Sequence, residues 1–396
     1  MATIRKRGDS YQIRVSVRYD SKGKHKEQTI TWKPEPGMTE KQIKKELQRQ
    51  TILFEESVAH GYKTTAVKFQ TFAEEWFEEY AKLNLRSTTY ERMRQLTKRV
   101  YPAIGHLRMD KITARQLQGF VNSLAKDGAS EKTGKPLASK TILHHLSFIS
   151  DVFSYAVKMD MLSDNPCRKV TVPKGEAKEK PIYSQEEVAS LLTKINGEPI
   201  KYKAFFFLIA YSGFRRSEML GLEWKDVDFE HDTITIKRTS NYTAGRGTYT
   251  DKTKTKRSQR VLKISPYIMS ILKELKDEQD EDAFRLGNKW VETDRLFVKW
   301  NGEPMNNQTP YGWLKEFCEK IELPFYGIHS FRHFAASALI SAGLDVTTVS
   351  GALGHSNSGT TLNVYSHMFQ NAQARVADVM DSAFSFLPAK DSTSKT

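Results

Sequence analysis

What most limits the folds open to this chain is that its hydrophobic periodicity changes twice along its length. Near the N-terminus Tyr11, Ile13, Val15 and Val17 alternate with Gln12, Arg14, Ser16 and Arg18. A period of two belongs to a strand with one packed face and one wet face. Asp20-Ser21-Lys22-Gly23 turns the chain, and Gln28 to Trp32 reads as a further strand. From about residue 70 the apolar spacing becomes three and four, that of an amphipathic helix, and beyond Ser184 the two patterns mix. One layer of structure serves one period, so a chain of 396 residues with three regimes must divide into modules with separate cores.

The boundaries follow from capping signals. Thr39 with Gln42 has capping-box spacing and opens a helix to about residue 60. Residues 1–64 are therefore expected to form a three-stranded sheet plus a helix. Thr71 with Glu74, Thr88 with Glu91, and Thr113 with Gln116 read as three more helix starts. Each is followed by an apolar stripe: Phe72, Trp76, Phe77 and Tyr80 form one, Leu117, Phe120, Val121 and Leu124 another. A third comprises Leu146, Ile149, Val152, Phe153 and Ala156. These stripes predict a bundle of four or five helices that ends near Asn165-Pro166, within a domain over 69–172. Residues 173–182 carry prolines and lysines without apolar periodicity and read as a linker.

From Ser184, which caps with Glu187, residues 183–387 read as a mixed α/β domain. Strands are expected at 232–237 and 260–264, with a polar tip containing Gly245 and Gly247 between them. A closing helix carries Phe369, Ala372, Val376, Val379, Met380, Ala383 and Phe384 at helical spacing, and residues 388–396 are a polar, disordered tail. The expected class is multidomain, mainly α with small β-sheets.

The formal net charge of +14 points to a polyanionic partner, and its distribution sharpens the point. Residues 1–33 hold nine Lys/Arg against three acids. Arg14 and Arg18 share the wet face of the first strand pattern, Lys174 and Lys178 lie in the linker, and Lys256 and Arg257 crowd a second basic run. These six are candidate DNA contacts, although a solvated polar face would explain the strand arginines as well. Two cysteines, Cys167 and Cys318, are too few for a disulfide framework or a four-ligand zinc site. No stretch approaches the ~20 apolar residues of a membrane span, and no apolar run follows the basic N-terminus. A cytoplasmic protein without cofactor or membrane contact is expected.

Four short segments of the third region carry chemistry together: Ser212-Gly213-Phe214-Arg215 with Glu218, the run from Lys254 to Arg260, His329-Ser330-Phe331-Arg332-His333, and Leu353-Gly354-His355 with Tyr365 ten residues on. Phosphodiester transfer gathers charge on the non-bridging oxygens, and guanidinium groups meet that charge without exchanging protons. A tyrosine can attack phosphorus to give a covalent intermediate, and a lysine can protonate the departing oxygen. His329 and Arg332, three apart on one helix, share a face.

The order Arg, Lys, His-x-x-Arg, His, Tyr resembles the catalytic set of the tyrosine recombinase family, and in detail its integrase branch. Ser212 stands where Thr is common, and Phe331 where Leu is usual. The N-terminal sheet and helix are similar to the arm-type DNA-binding domain of phage and conjugative-transposon integrases. The resemblance implies a helical core-site-binding domain over 69–172 and a catalytic domain over 183–387. It implies that Tyr365 is the nucleophile, forming a 3′-phosphotyrosine without metal or ATP. It further implies that Arg215 and Arg332 clamp the scissile phosphate, His355 donates to it, Lys254 protonates the leaving oxygen and His329 acts as base or phosphate contact. Glu218 would orient Arg215. Lys252 and Lys256 flank Lys254 closely enough to compete for its role. Double-stranded DNA with core and arm sites, a homo-tetramer, an excisionase and a DNA-bending host protein are the partners implied.

Other readings have separate signatures. His329, His333 and His355 could be zinc ligands, but Ser330 stands where a metallopeptidase would carry Glu. A non-catalytic DNA-binding regulator has no use for the tyrosine at that spacing. A type IB topoisomerase or a dimer-resolving recombinase shares the core residues, whereas the additional N-terminal domain favours an integrase.

Overall fold

The computed structural model describes residues 2–17, 26–59, 67–131, 133–175, 181–243, 245–252, 259–355, 357–359, 361–362 and 364–365, the side chains of 17, 26, 56–59 and 252 excepted. The chain divides into two compact units, Met1–Ala177 and Lys178–Thr396. The described part is mostly helical with small antiparallel sheets.

The first unit contains two separate cores. Strands β1 (Thr3–Arg7), β2 (Ser10–Val17) and β3 (Lys26–Trp32) form one antiparallel sheet in that order, with Ile13 paired to both Ile4 and Ile30. Helix α1 (Glu40–Ala59) packs on it, and Ile13 and Val15 are buried with Phe54. The alternation within β2 puts Arg14 on the other face, where it pairs with Glu27 at 3.0 Å. Thr39 and Gln42 exchange the two bonds of a capping box: the Thr39 N–H donates to Gln42 Oε1 at 2.8 Å, and the Gln42 N–H donates to Thr39 Oγ1 at 3.4 Å.

The helical core comprises α2 (Phe69–Trp76), continued by a π turn (Phe77–Ala81) and a final turn α3 (Lys82–Asn84), then α4 (Ser87–Val100), α5 (Ala114–Leu124) and α6 (Ser139–Lys158). All three apolar stripes face inward, Tyr80 only partly. The Phe77 ring stacks on Phe148 with centroids 5.5 Å apart, and Trp76 lies 6.1 Å from the same ring. Of the three helix starts expected here, Thr113 with Gln116 forms its box. The other two do not. Phe69 is fully buried and its N–H donates to the Leu107 carbonyl at 2.8 Å, so α2 begins two residues before Thr71. Glu74 instead serves Arg94 at 2.5 Å and the Tyr101 hydroxyl at 2.7 Å. Thr88 likewise sits inside α4, whose N-cap is Arg86; the Tyr90 N–H already bonds the Arg86 carbonyl, and the Tyr90 ring packs edge-on to Phe77.

The second unit is built round α8 (Ile200–Ser212), which follows α7 (Gln185–Ile195) and its Ser184–Glu187 capping box. Ala204, Phe205, Phe206, Leu208 and Ile209 bury α8 nearly all round, which places it at the centre of its core. After the short α9 (Arg216–Met219) come β4 (Val227–Asp228) and β5 (Thr233–Ile236), which pair with β8 (Arg260–Lys263) in the order β4-β5-β8. Between β5 and β8 the segment expected as a polar tip includes a second hairpin, β6 (Arg238–Thr243) with β7 (Gly247–Lys252). Its strands are polar on both faces, so no alternation marks them. Their base is held by ion pairs: Arg238 meets Glu223 at 2.8 Å and also Asp226, while Arg295 donates to the Gly221 carbonyl at 2.6 Å and to the Thr250 hydroxyl. Helices α10 (Pro266–Leu286), α11 (Thr309–Lys320), α12 (His329–Ser341) and α13 (Val346–Leu353) complete the unit, with α10 and α12 packed on α8. The closing helix expected beyond Tyr365 lies outside the described residues. No helix among the described residues is long and apolar enough to cross a membrane.

Candidate active site

Helix α8 ends at Ser212, and the chain reverses through Gly213 in the left-handed region, φ 61°. A side chain there would also collide, since a Cβ would lie 2.9 Å from Leu353 Cδ2 and 3.0 Å from Ala335 Cβ. The reversal makes Arg215 the N-cap of α9, three residues before Glu218. The Arg215 N–H donates to Glu218 Oε2 at 2.9 Å, its Nη1 donates to Oε1 at 2.7 Å, and its Nη2 donates to the Gly354 carbonyl at 3.0 Å. Arg260, from β8, donates its Nη2 to the same carboxylate at 3.0 Å and its Nε to the Ala352 carbonyl at 2.8 Å. Burial pushes the Glu218 carboxyl up, but Arg260 and Arg215 outweigh it and hold the group below its ordinary value. Glu218 is thus a buried, ionised strut between two guanidinium groups.

Arg332 lies on the inward face of α12, 3% exposed. Its Nη1 donates to the Gly213 carbonyl at 2.8 Å, whereas its buried Nη2 makes no hydrogen bond among the described residues. Burial and then the cation of Arg215 pull its pKa down to about 9, which still leaves it charged at neutral pH. Three guanidinium groups, Arg215, Arg260 and Arg332, therefore face one carboxylate. A buried polar donor left without a partner costs ~1–3 kcal/mol, and a charged one more. The cluster is consequently built to receive an anion with several acceptor oxygens.

His355 follows Gly354, which caps α13 at φ 66° and whose missing side chain leaves room for the Arg260 guanidinium. The His355 Nδ1 lies 2.7 Å from the Thr361 hydroxyl, so contact with a substrate would use Nε2. Burial, then Arg332, Arg215 and Arg260, lower its pKa to about 4, which makes it a neutral imidazole in working conditions. Tyr365 is 4% exposed, packed among Ala336, Ile340, Val349 and Leu353. Burial pushes its phenol up to about 12, against the pull of Arg332. Its hydroxyl lies 2.7 Å from Nδ1 of His333, and the His333 ring stands edge-on to His329 with centroids 5.0 Å apart.

The fold thus brings Arg215, Glu218, Arg332 and His355 into one cluster, with Tyr365 and His329 joined through His333. Beside it a cleft of about 740 Å³ is lined by residues including Arg215, Arg216, Asn241, Tyr311 and His329. Lys254 falls in 253–258, between β7 and β8, outside the described residues, as do Lys256, Arg257, Arg18 and Lys178; of Lys252 only the backbone is described. Lys174 is exposed in the first unit. Sequence reasoning gave no role to Arg260 and weighed His333 only as a zinc ligand. Arg260 ends the basic run on a strand whose Val261 is 62% exposed, so an alternation read from hydropathy puts the wrong residue inside. Among the described residues no three His, Cys, Asp or Glu side chains gather as metal ligands would.

Arginines from a helix start and a helix face, a histidine beside an αL glycine and a buried tyrosine, on a mixed fold that follows a helical module in the sequence, define the class of tyrosine recombinases. The comparisons with known proteins give the branch. Residues 182–372 match the phage integrase family, and residues 68–125 match the N-terminal SAM-like domain of phage integrases. The chain is 29% identical over 296 residues to a XerC-like tyrosine recombinase of Caldanaerobacter subterraneus, covering 70% of this chain and 73% of that one. It is 28% identical over 273 residues to the ICEBs1 integrase of Bacillus subtilis, covering 69% and 72%. In fold it is similar to the Tn1549 transposon integrase, solved in complex with transposon right end DNA, with a TM-score of 0.65 at 22% identity, covering 79% of this chain and 100% of that one. The chain belongs to the tyrosine recombinases, on their integrase branch: it is an enzyme that cuts and religates DNA in the site-specific recombination of mobile elements.

Proposed function

We propose that the arginine cluster holds the scissile phosphate of a mobile-element end and that Tyr365 attacks it, giving a 3′-phosphotyrosine and a free 5′-hydroxyl. The observation that carries this reading is the buried Arg332 Nη2, which makes no hydrogen bond among the described residues and lies in a cluster with an excess of cations. Arg215 and Arg332 bind the non-bridging oxygens, and their charge grows in effect as the five-coordinate state gathers negative charge. Glu218, with Arg260 as its second partner, holds Arg215 in place. His355 donates through Nε2, His329 contacts the phosphate, and Lys254 protonates the departing 5′-oxygen. Each exchange conserves one ester bond, so neither ATP nor metal is required.

Around this chemistry we assign residues 1–64 to arm-site DNA, 69–172 to core-site DNA, 173–182 to the linker and 183–387 to catalysis, with 388–396 as a tail. Arg14, Arg18, Lys174, Lys178, Lys256 and Arg257 contact the duplex; the surface pair of Arg14 with Glu27 is worth little and yields readily to a phosphate. Four protomers assemble on paired sites in the cytoplasm, with an excisionase and a DNA-bending host protein setting direction. Lambda integrase has been solved both as a dimer on a core site and as a tetramer on a Holliday junction.

A nicked suicide substrate tests the chemistry. In EDTA the wild-type protein should form an adduct that survives SDS, and Tyr365→Phe should bind the site without forming it. Loss of the wild-type adduct in chelator, or an adduct from the phenylalanine variant, overturns the reading.

A further inference from the structure

A tyrosine is a poor nucleophile until its proton leaves, and here burial makes that departure harder. The acceptor placed for it is not on the inward face that carries Arg332 but one residue further along α12. His333 Nδ1 lies 2.7 Å from the Tyr365 oxygen, the two rings 5.8 Å apart at an interplanar angle of 58°. For His333 to act as a base the phenol donates to Nδ1, with the ring hydrogen of His333 on Nε2. His329 stands edge-on behind that ring at 5.0 Å.

We propose that His333 is a further catalytic residue, the base that takes the Tyr365 proton during cleavage and returns it during religation. The proposal rests on Tyr365 being the nucleophile. As the Tyr365 oxygen bonds to phosphorus, its O–H bond breaks toward His333 Nδ1. The bond from phosphorus to the 5′-oxygen breaks with its electron pair on that oxygen, which takes a proton from a separate acid. In religation the 5′-hydroxyl attacks and gives its proton to the conjugate base of that separate acid, the bond from phosphorus to the Tyr365 oxygen breaks, and the imidazolium returns its proton to that oxygen. The transient cation sits near His329 and Arg332 on its own helix, with Arg215 and His355 also in the cluster. The neighbouring guanidinium groups disfavour that cation and so favour return of the proton.

The test compares His333→Ala and His333→Gln, the latter keeping a hydrogen-bond acceptor while removing the base. Both should bind the core site like wild type and cleave a nicked suicide substrate at least about a hundredfold more slowly at pH 7. Their rates should rise about tenfold per pH unit between pH 7 and 9.5 and so close on wild type, because hydroxide then generates the phenolate. On a 5′-bridging phosphorothiolate, whose thiolate leaves without needing a proton, both should remain slow. Wild-type speed in the glutamine variant reduces His333 to positioning the ring and overturns the proposal. A deficit independent of pH makes the role structural, and rescue by the phosphorothiolate moves it to the leaving group; either result also overturns it. Adduct formation by Tyr365→Phe instead fails the underlying reading, so the two failures are distinguishable.

Discussion

Arg332 and Gly213 show how far single positions decide this site. Gly213 carries the reversal that aims Arg215, accepts a bond from Arg332 through its carbonyl, and leaves no room for a side chain. Gly213→Ala combines left-handed strain with contacts to Leu353 and Ala335, and should destabilise the protein by ~1–3 kcal/mol in chemical denaturation while also slowing cleavage. The cationic cluster makes a second claim. The folded protein holds His355 at about 4, whereas an unfolded histidine takes its proton near 6.5. The unfolded state therefore binds more protons between those values, and stability should fall as pH is lowered from about 6.5 towards 4. Arg332→Met removes one cation and should raise the His355 pKa, read from its imidazole proton shift in an NMR titration; an unchanged midpoint would mean that burial alone sets it. At this scale the sequence was most legible where residue type and spacing state the chemistry. Arg215, Arg332, His355 and Tyr365 announced themselves in short motifs, and all four lie at the cluster. His333 did not, because its importance is a distance to a residue thirty-two positions away. Arg260 did not, because its burial depends on a carboxylate supplied by another element.

The elements divide along a different line. Periodicity located the three stripes of the helical core and both strands flanking the β6–β7 hairpin, since those patterns report which face is dry. Capping boxes were a weaker guide. Thr113 and Ser184 begin helices as their spacing predicts, whereas Thr71 and Thr88 carry the same spacing inside helices already started by buried aromatic packing. Replacement by alanine separates the two groups. Thr113→Ala and Ser184→Ala should each cost about 1 kcal/mol, while Thr71→Ala and Thr88→Ala should lie within about 0.5 kcal/mol of wild type. Thermal denaturation of the four variants checks the ranking, and equal losses would contradict it. The β6–β7 hairpin escaped notice for a third reason. Its strands are held by backbone pairing and by the Glu223, Asp226, Arg238 and Arg295 ion pairs at its base, none of which leaves a hydropathy signature.

For the whole molecule, two changes of hydrophobic period predicted three modules; the chain parts into two compact units, the first holding a sheet core and a helical core and the second a mixed one. Dividing DNA recognition among them has a direct consequence. Deleting residues 1–64 should abolish binding to arm sites in a gel-shift assay and spare the core site; retained arm-site affinity would contradict the assignment. Both affinities should fall steeply with salt, because phosphate contacts release counterions. One covalent bond distinguishes this enzyme from a protein that only binds DNA. The intact protein should be trapped on a nicked core-site substrate in EDTA, digested with protease and nuclease, and the nucleotide-bearing peptide sequenced by mass spectrometry. The nucleotide should be attached through its 3′-phosphate to the oxygen of Tyr365; attachment to any other residue, or cleavage without a protein-linked product, would contradict it.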